Sequence, residues 1–188
     1  LDPVSALALV RIAGRHALPL PLAETMAARW FADRAGLSLP EGQATFVVAP
    51  AGEGLALTRQ GDGWRLSGTA ARVPWGRQAV GLVVIADVDG VSHAACPAPG
   101  GWTSEPGHNL AGEPRDTLRF DTNTVTTAPL ADGLGPDRAR AMGAALRVLA
   151  MAGALEAVLA AAVAHAGERV QFGRPIGRFQ AIQQSAAV

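Results

Sequence analysis

The sequence contains no lysine and no tyrosine, so all 16 of its basic residues are arginine. Without lysine the chain cannot form a Schiff base or a Walker A phosphate loop. Without tyrosine it has no phenolic acid or base. Its single cysteine, Cys96, excludes a disulfide within the chain and suits a reducing compartment. We therefore expect a cytoplasmic protein.

The chain also has no excess of positive or negative charge, because its formal net charge is +0 at pH 7. This balance gives no electrostatic reason to expect a nucleic-acid partner or a membrane surface. The run from Ala139 to Gly167 is apolar enough to raise the question of a membrane span. Its interrupting charges and weakly hydrophobic alanines favour a buried helix of a soluble bundle instead. No metal site is predicted, because the four histidines and Cys96 lack ligand spacing.

The pattern along the chain predicts an α+β fold in three parts. Residues 1–40 read as two helices joined by a proline turn, the end of an N-terminal helical domain. Residues 41–132 alternate between short apolar runs and turn signals, which is typical of a central antiparallel β-barrel or sandwich. Residues 133–188 read as the first helices of a C-terminal helical bundle. A bundle needs further helices to cover an apolar face, so we expect the chain to be incomplete at both ends.

The boundaries of these elements follow from the same pattern. A long helix is predicted from Arg138 to about Gln171, and a second helix from near Ile176. No Gly-x-Gly-x-x-Gly follows a strand, so a Rossmann nucleotide site is not supported. The strands are predicted at Thr45–Val48, Leu55–Thr58, Trp64–Gly68, Val80–Ala86, Ser92–Pro97, Thr117–Phe120 and around Val125.

The segment Arg169-Val-Gln-Phe-Gly-Arg-Pro-Ile-Gly-Arg-Phe-Gln180 concentrates three arginines, two phenylalanines and a tight turn at the end of the long helix. An arginine fork matches phosphate oxygens, and an aromatic ring suits a flat heterocycle. From the residues alone a structural alternative stays open. The arginines would then satisfy the helix C-terminus, and Phe172 would plug the turn.

In residue order this segment closely resembles the start of the C-terminal domain of acyl-CoA dehydrogenases, which are flavoenzymes. The segments Leu20-Pro-Leu-Ala-Glu-Thr, Gly61-Asp-Gly-Trp-Arg-Leu-Ser-Gly-Thr and Arg119-Phe-Asp resemble other parts of that family less specifically. The resemblance implies FAD as cofactor, an acyl-CoA substrate and an electron-transfer flavoprotein as acceptor. It also implies a homo- or hetero-oligomer, a dimer or tetramer, in which this segment reaches a neighbouring subunit's FAD.

The resemblance also implies cofactor-binding residues. Arg169 would contact the FAD pyrophosphate, Gln171 would offer a polar contact, Phe172 would pack near the cofactor and Gln180 would contact the adenosine portion. No catalytic residue is assigned. The family's base is a glutamate, for which one location lies beyond Val188, whereas the other corresponds to Gly143, followed here by Ala144.

Two further stretches depart from the family pattern. The loop that usually reads Thr-Glu-Pro-Gly-x-Gly-Ser-Asp corresponds to residues 47–55, where Pro50 is kept and the Thr, Ser and Asp are lost. The usual Trp-Ile-Thr-Asn strand corresponds to Arg72-Val-Pro-Trp, and Pro74 has no N–H to donate. Three hypotheses follow: an acyl-CoA dehydrogenase, a catalytically degenerate partner subunit that completes its neighbour's FAD site, or a structural module without flavin.

Overall fold

A computed structural model of the chain describes residues 2–49 and 54–186. Its helices are α1 (Pro3–Arg15), α2 (Leu22–Arg34), α3 (Pro136–Glu168) and α4 (Gln180–Ala186), with a 3₁₀ turn at Ile176–Arg178 before α4. Its strands are β1 (Ala44–Val48), β2 (Leu55–Gln60), β3 (Gly63–Pro74), β4 (Gly81–Val88), β5 (Val91–Pro97), β6 (Trp102–Glu105), β7 (Arg115–Thr122), β8 (Val125–Pro129), β9 (Val170–Gln171) and β10 (Arg174–Pro175).

Eight of the strands form two four-stranded sheets, in the orders β1-β4-β5-β8 and β2-β3-β7-β6. Their facing sides share one apolar core, so the predicted α+β class with a β-sandwich is confirmed. One pairing differs from the antiparallel pattern, because β1 runs parallel to β4. A parallel pair needs a crossover connection, and here the β2–β3 hairpin of the other sheet supplies it.

Strand β4 is the central element of the sandwich. Leu82, Val84 and Ala86 face the other sheet. The alternate residues Val83 and Ile85 join a second cluster, which contains residues of α2 and the start of α3. A strand that is covered on both faces needs apolar residues at every position, which explains the continuous run over this segment.

The contacts divide the chain into two compact units, one containing residues 1–18 and 147–188 and the other residues 19–146. The sandwich and α2 belong to the second unit. The division into domains at residues 1–40, 41–132 and 133–188 stays a prediction.

Glycine allows a close approach of α1 and α3 in the first unit. A Cβ atom on Gly14 would overlap the carbonyl oxygen of Ala150, and one on Gly153 would overlap the carbonyl oxygen of Arg11. The Arg11 Nε atom also donates a 2.8 Å hydrogen bond to Glu156. The backbones therefore meet directly, with an ion pair beside the contact.

The expected burial of the long helix is not found among the described residues. Met151, Leu155 and Leu159 are each more than half exposed, because α1 packs along one side of α3 and leaves these positions uncovered. By length and composition α3 could cross a membrane, and 11% of its most apolar 18-residue window is buried. One such helix is weak evidence for a span, so a soluble bundle stays a prediction.

Other differences concern element boundaries. Strand β3 continues to Pro74, beyond the predicted end at Gly68. Strand β6 and the small β9–β10 pair are absent from the predicted set. Helix α3 ends at Glu168, before the predicted end near Gln171, because the chain turns into β9.

Candidate functional site

The residues from Arg169 to Gln180, called here the Arg169–Gln180 turn, form a compact reversal of the chain in the first unit. Strands β9 and β10 pair across the two-residue loop Phe172-Gly173. Both loop residues have positive φ, 51° and 77°, which is the conformation of a type I′ hairpin turn. The backbone N–H of Ile176 then donates to the carbonyl of Arg169 at 2.9 Å and closes the reversal.

Phe172 is energetically unfavourable at the first position of this turn. Type I′ turns favour Asn or Gly at the first position, and a left-handed conformation costs another residue about 1–2 kcal/mol. The side chain is nevertheless 91% exposed. A strained and exposed aromatic residue points to a role in binding more than to a role in folding.

Phe179 links the two halves of the turn. Its ring meets Phe172 edge-on with 6.1 Å between centroids, and the guanidinium of Arg174 lies 4.3 Å from its centroid. Arg174 therefore has a partner within the turn. The guanidinium of Arg169, by contrast, makes no hydrogen bond or ion pair with any described residue.

The structure brings the four predicted cofactor-binding residues together on one exposed segment. Arg169, Gln171, Phe172 and Gln180 are all exposed. A guanidinium without a partner among the described residues, two amides and an open aromatic face match a ligand that carries phosphate groups and flat rings. The residues therefore fit a flavin nucleotide such as FAD, and their individual roles stay predictions.

A cleft of about 460 Å³ opens in the second unit. It is lined by residues 46–48 of β1, by residues 54–55 and by residues 69–74 of β3, and is called here the β1–β3 cleft. This volume lies within the range of small-molecule sites, which are mostly apolar with a few polar groups. The cleft unites the two stretches that correspond to the family's flavin-contacting loop and strand. Pro50, predicted to be kept in that loop, lies outside the described residues.

The wall of the cleft on β3 is irregular. The pairing of β3 with β7 shifts register between Ala70 and Val73, so Ala71 and Arg72 form a bulge. Arg72 and Trp75 both have left-handed backbones, with φ of 59° and 55°. Bulges and left-handed residues concentrate near functional sites, where they redirect a side chain.

Buried polar groups hold the end of β3 in this shape. The hydroxyl of Thr45, which is fully buried, donates to the carbonyl of Pro74 at 2.8 Å. The carboxylate of Asp116, also fully buried, accepts from the backbone N–H of Arg77 at 2.8 Å and of Gly107 at 3.2 Å. Sequence reasoning missed Asp116. Its signal is an acidic residue at an inward position of β7, in alternation with Leu118 and Phe120.

The family's second location for the catalytic base offers no carboxylate here and little room for one. A Cβ atom on Gly143 would lie 3.3 Å from the ring of Phe46, which also lines the β1–β3 cleft. The tight contact explains why a small residue occupies this position. Within residues 2–49 and 54–186 no three His, Cys, Asp or Glu side chains are grouped to hold a metal ion.

The comparison with family models identifies the C-terminal part of the chain. A model described as acyl-CoA dehydrogenase, C-terminal domain, matches residues 138–188, which include the whole Arg169–Gln180 turn. A glutaryl-CoA dehydrogenase from Mycobacterium smegmatis shares 31% identity over 73% of this chain and 38% of its own, with a TM-score of 0.60. Residues 138–188 therefore belong to the acyl-CoA dehydrogenase family. The recognition made from the sequence is confirmed.

Other solved structures match nearly all of this chain. The ChsE4-ChsE5 complex from Mycobacterium tuberculosis covers 98% of it and 55% of the matched chain, with 22% identity and a TM-score of 0.79. A variant of the steroid ACAD Tcur3481-Tcur3483 covers the same shares at 27% identity and a TM-score of 0.77. No curated protein matches the sequence. The chain thus spans about half the length of these relatives.

Proposed function

We propose that this chain forms part of an acyl-CoA dehydrogenase that uses FAD to oxidise the α,β carbon–carbon bond of an acyl-CoA thioester. The observation that carries the proposal is the exposed Arg169–Gln180 turn, which presents the ring of Phe172 and the guanidinium of Arg169, unpaired among the described residues. Another glutaryl-CoA dehydrogenase structure from Mycobacterium smegmatis is a complex with FADH2. An electron-transfer flavoprotein as acceptor and a cytoplasmic location belong to the same proposal.

In this proposal the turn binds the cofactor of a neighbouring subunit. Arg169 holds phosphate oxygens through charge-assisted hydrogen bonds, Phe172 covers a flat ring, and the amides of Gln171 and Gln180 supply polar contacts. Bound FAD would supply the acceptor for a hydride from the substrate. The apolar residues of the β1–β3 cleft would pack against the flat or apolar part of a bound ligand.

The experiment is a measurement of flavin content and dehydrogenation with the full-length protein. We expect bound FAD and, with an acyl-CoA and an artificial electron acceptor, formation of the enoyl-CoA. Protein that is purified without flavin and does not take up added FAD contradicts the proposal.

A second candidate is a partner subunit that has lost catalysis and completes its neighbour's FAD site. Two observations favour it: Gly143 replaces the base at one family location, and Pro74 lacks the N–H at the flavin-facing strand. The ChsE4-ChsE5 structure is a complex of two proteins. In this case activity requires co-expression with a second subunit. An active, flavin-loaded homo-oligomer of this protein alone contradicts the second candidate.

A further inference from the structure

Arg72 is the one charged residue among the described residues that line the β1–β3 cleft. Its side chain is exposed and makes no hydrogen bond or ion pair with any described residue. The other lining residues are apolar or small, apart from Thr69. An amphiphilic ligand with an apolar or flat body and one anionic group would match this lining.

The backbone at Arg72 supports a role in binding. The residue lies in the β-bulge of β3 and has φ of 59°, a conformation that glycine or asparagine adopts at lower cost. Folding alone would therefore favour a different residue here. The guanidinium gains no partner within the described structure that would offset this strain.

We propose that Arg72 binds a phosphate group of the ligand that occupies the β1–β3 cleft. This rests on the proposed function, because both FAD and acyl-CoA carry phosphates. The planar guanidinium matches phosphate oxygens through two parallel hydrogen bonds, which an ammonium group cannot reproduce. The resemblance implies cofactor contacts for residues of the Arg169–Gln180 turn and none for Arg72.

The test compares Arg72→Asn and Arg72→Gln with the wild type in the full-length protein. Asn tolerates the left-handed backbone, so loss of the guanidinium is separated from loss of folding. Gln provides a second, longer neutral side chain. The matched control is Arg119→Gln, which alters an exposed arginine of β7 outside the cleft lining. Melting temperatures verify that each variant is folded.

Two measurements distinguish the source of the phosphate. The first is FAD retention by the purified protein on dilution. The second is the affinity for octyl phosphate relative to 1-octanol, which have the same apolar tail. We expect both Arg72 variants to lose about tenfold in FAD affinity or in the preference for octyl phosphate, while Arg119→Gln changes neither. Loss of FAD indicates a cofactor phosphate, and loss of the preference indicates a substrate phosphate.

The inference is overturned if the Arg72 variants retain FAD as the wild type does and show an unchanged or absent preference for octyl phosphate. It is also overturned if Arg119→Gln has an equal effect. The two proposals fail separately. Wild-type protein that never binds FAD contradicts the proposed function, even if an Arg72-dependent phosphate preference persists. Flavin-loaded protein whose Arg72 variants behave as wild type contradicts only the role of Arg72.

Discussion

The ring of Phe172 packs edge-on against the ring of Phe179, with planes at 86°. Phe172 makes this contact from the first position of a type I′ turn, where an aromatic residue is strained. The pair contributes about 0.5–1.5 kcal/mol, which is comparable to the strain. The aromatic ring therefore adds little net stability to the turn.

The first prediction follows from this balance. Phe172→Asn should change the free energy of unfolding by no more than about 1 kcal/mol, because asparagine suits the turn. The same change should weaken FAD binding about tenfold, since an aromatic surface is lost. Urea unfolding and flavin titration measure the two effects. Ala17→Asn, at another left-handed position of the same unit, is the control. Large destabilisation with unaltered flavin affinity would indicate a structural role.

A second prediction concerns the contact between α1 and α3. Gly14→Ala and Gly153→Ala should each destabilise the protein by about 1–3 kcal/mol, because the added methyl group would overlap a backbone carbonyl. Gly167→Ala is the control in α3, the helix of Gly153, with no atom within 4 Å of the added Cβ. It should be neutral or stabilising by up to about 1 kcal/mol. Thermal unfolding that ranks all three alike would refute the close approach.

A third prediction concerns Asp116. Asp116→Asn should lower the free energy of unfolding by about 2–3 kcal/mol. The two backbone N–H groups donate to different oxygens of the carboxylate, and an amide has only one oxygen that can accept. Asp121→Asn, on the same strand, removes an exposed ion pair with Arg65 and should cost less than about 1 kcal/mol. Denaturant unfolding compares the two variants, and equal costs would contradict the assigned role of Asp116.

A fourth prediction uses the buried thiol. Burial raises the pKa of Cys96 from the ordinary 9.0 to about 11. The folded state therefore holds the proton more tightly, and this contribution to stability is present below pH 9 and declines as the pH rises toward 11. The chain has no lysine or tyrosine to titrate in this window.

The measurement is the free energy of unfolding against pH for the wild type and Cys96→Ala. The wild type should lose up to about 2 kcal/mol more than the variant between pH 9 and 11. The native thiol should also react with a thiol reagent at pH 8 far more slowly than the unfolded chain. Parallel pH profiles for the two proteins would contradict the raised pKa.

Much of the fold could be predicted because strong local patterns mark its longest elements. The short β-branched apolar run of β4 predicts a buried strand, and the long alanine-rich stretch without helix breakers predicts α3. The edge strand β6 could not be found, since most of its residues are exposed and leave no apolar alternation. The parallel pairing of β1 with β4 joins strands that are distant in sequence, and no local pattern encodes it.

The candidate site also has features that could be predicted from the sequence and features that could not. The family resemblance in residue order identified the Arg169–Gln180 turn as a candidate site, whereas its residue types alone left a structural role open. The positive φ of Phe172 and the bulge at Arg72 could not be predicted, since both residue types normally avoid that conformation. The β9–β10 hairpin contains the first of these backbones and the register shift between β3 and β7 the second, and such departures from local preference are expected at functional sites.

The central claim is that the Arg169–Gln180 turn binds FAD in the assembled protein. Its most direct test is the flavin content of the full-length Arg169→Ala, Gln180→Ala double variant, with Arg15→Ala of α1 as control. The wild type and the control should retain FAD, and the double variant should bind it at least about tenfold more weakly. A correctly folded double variant with the flavin content of the wild type would contradict the claim and favour a structural role for the turn.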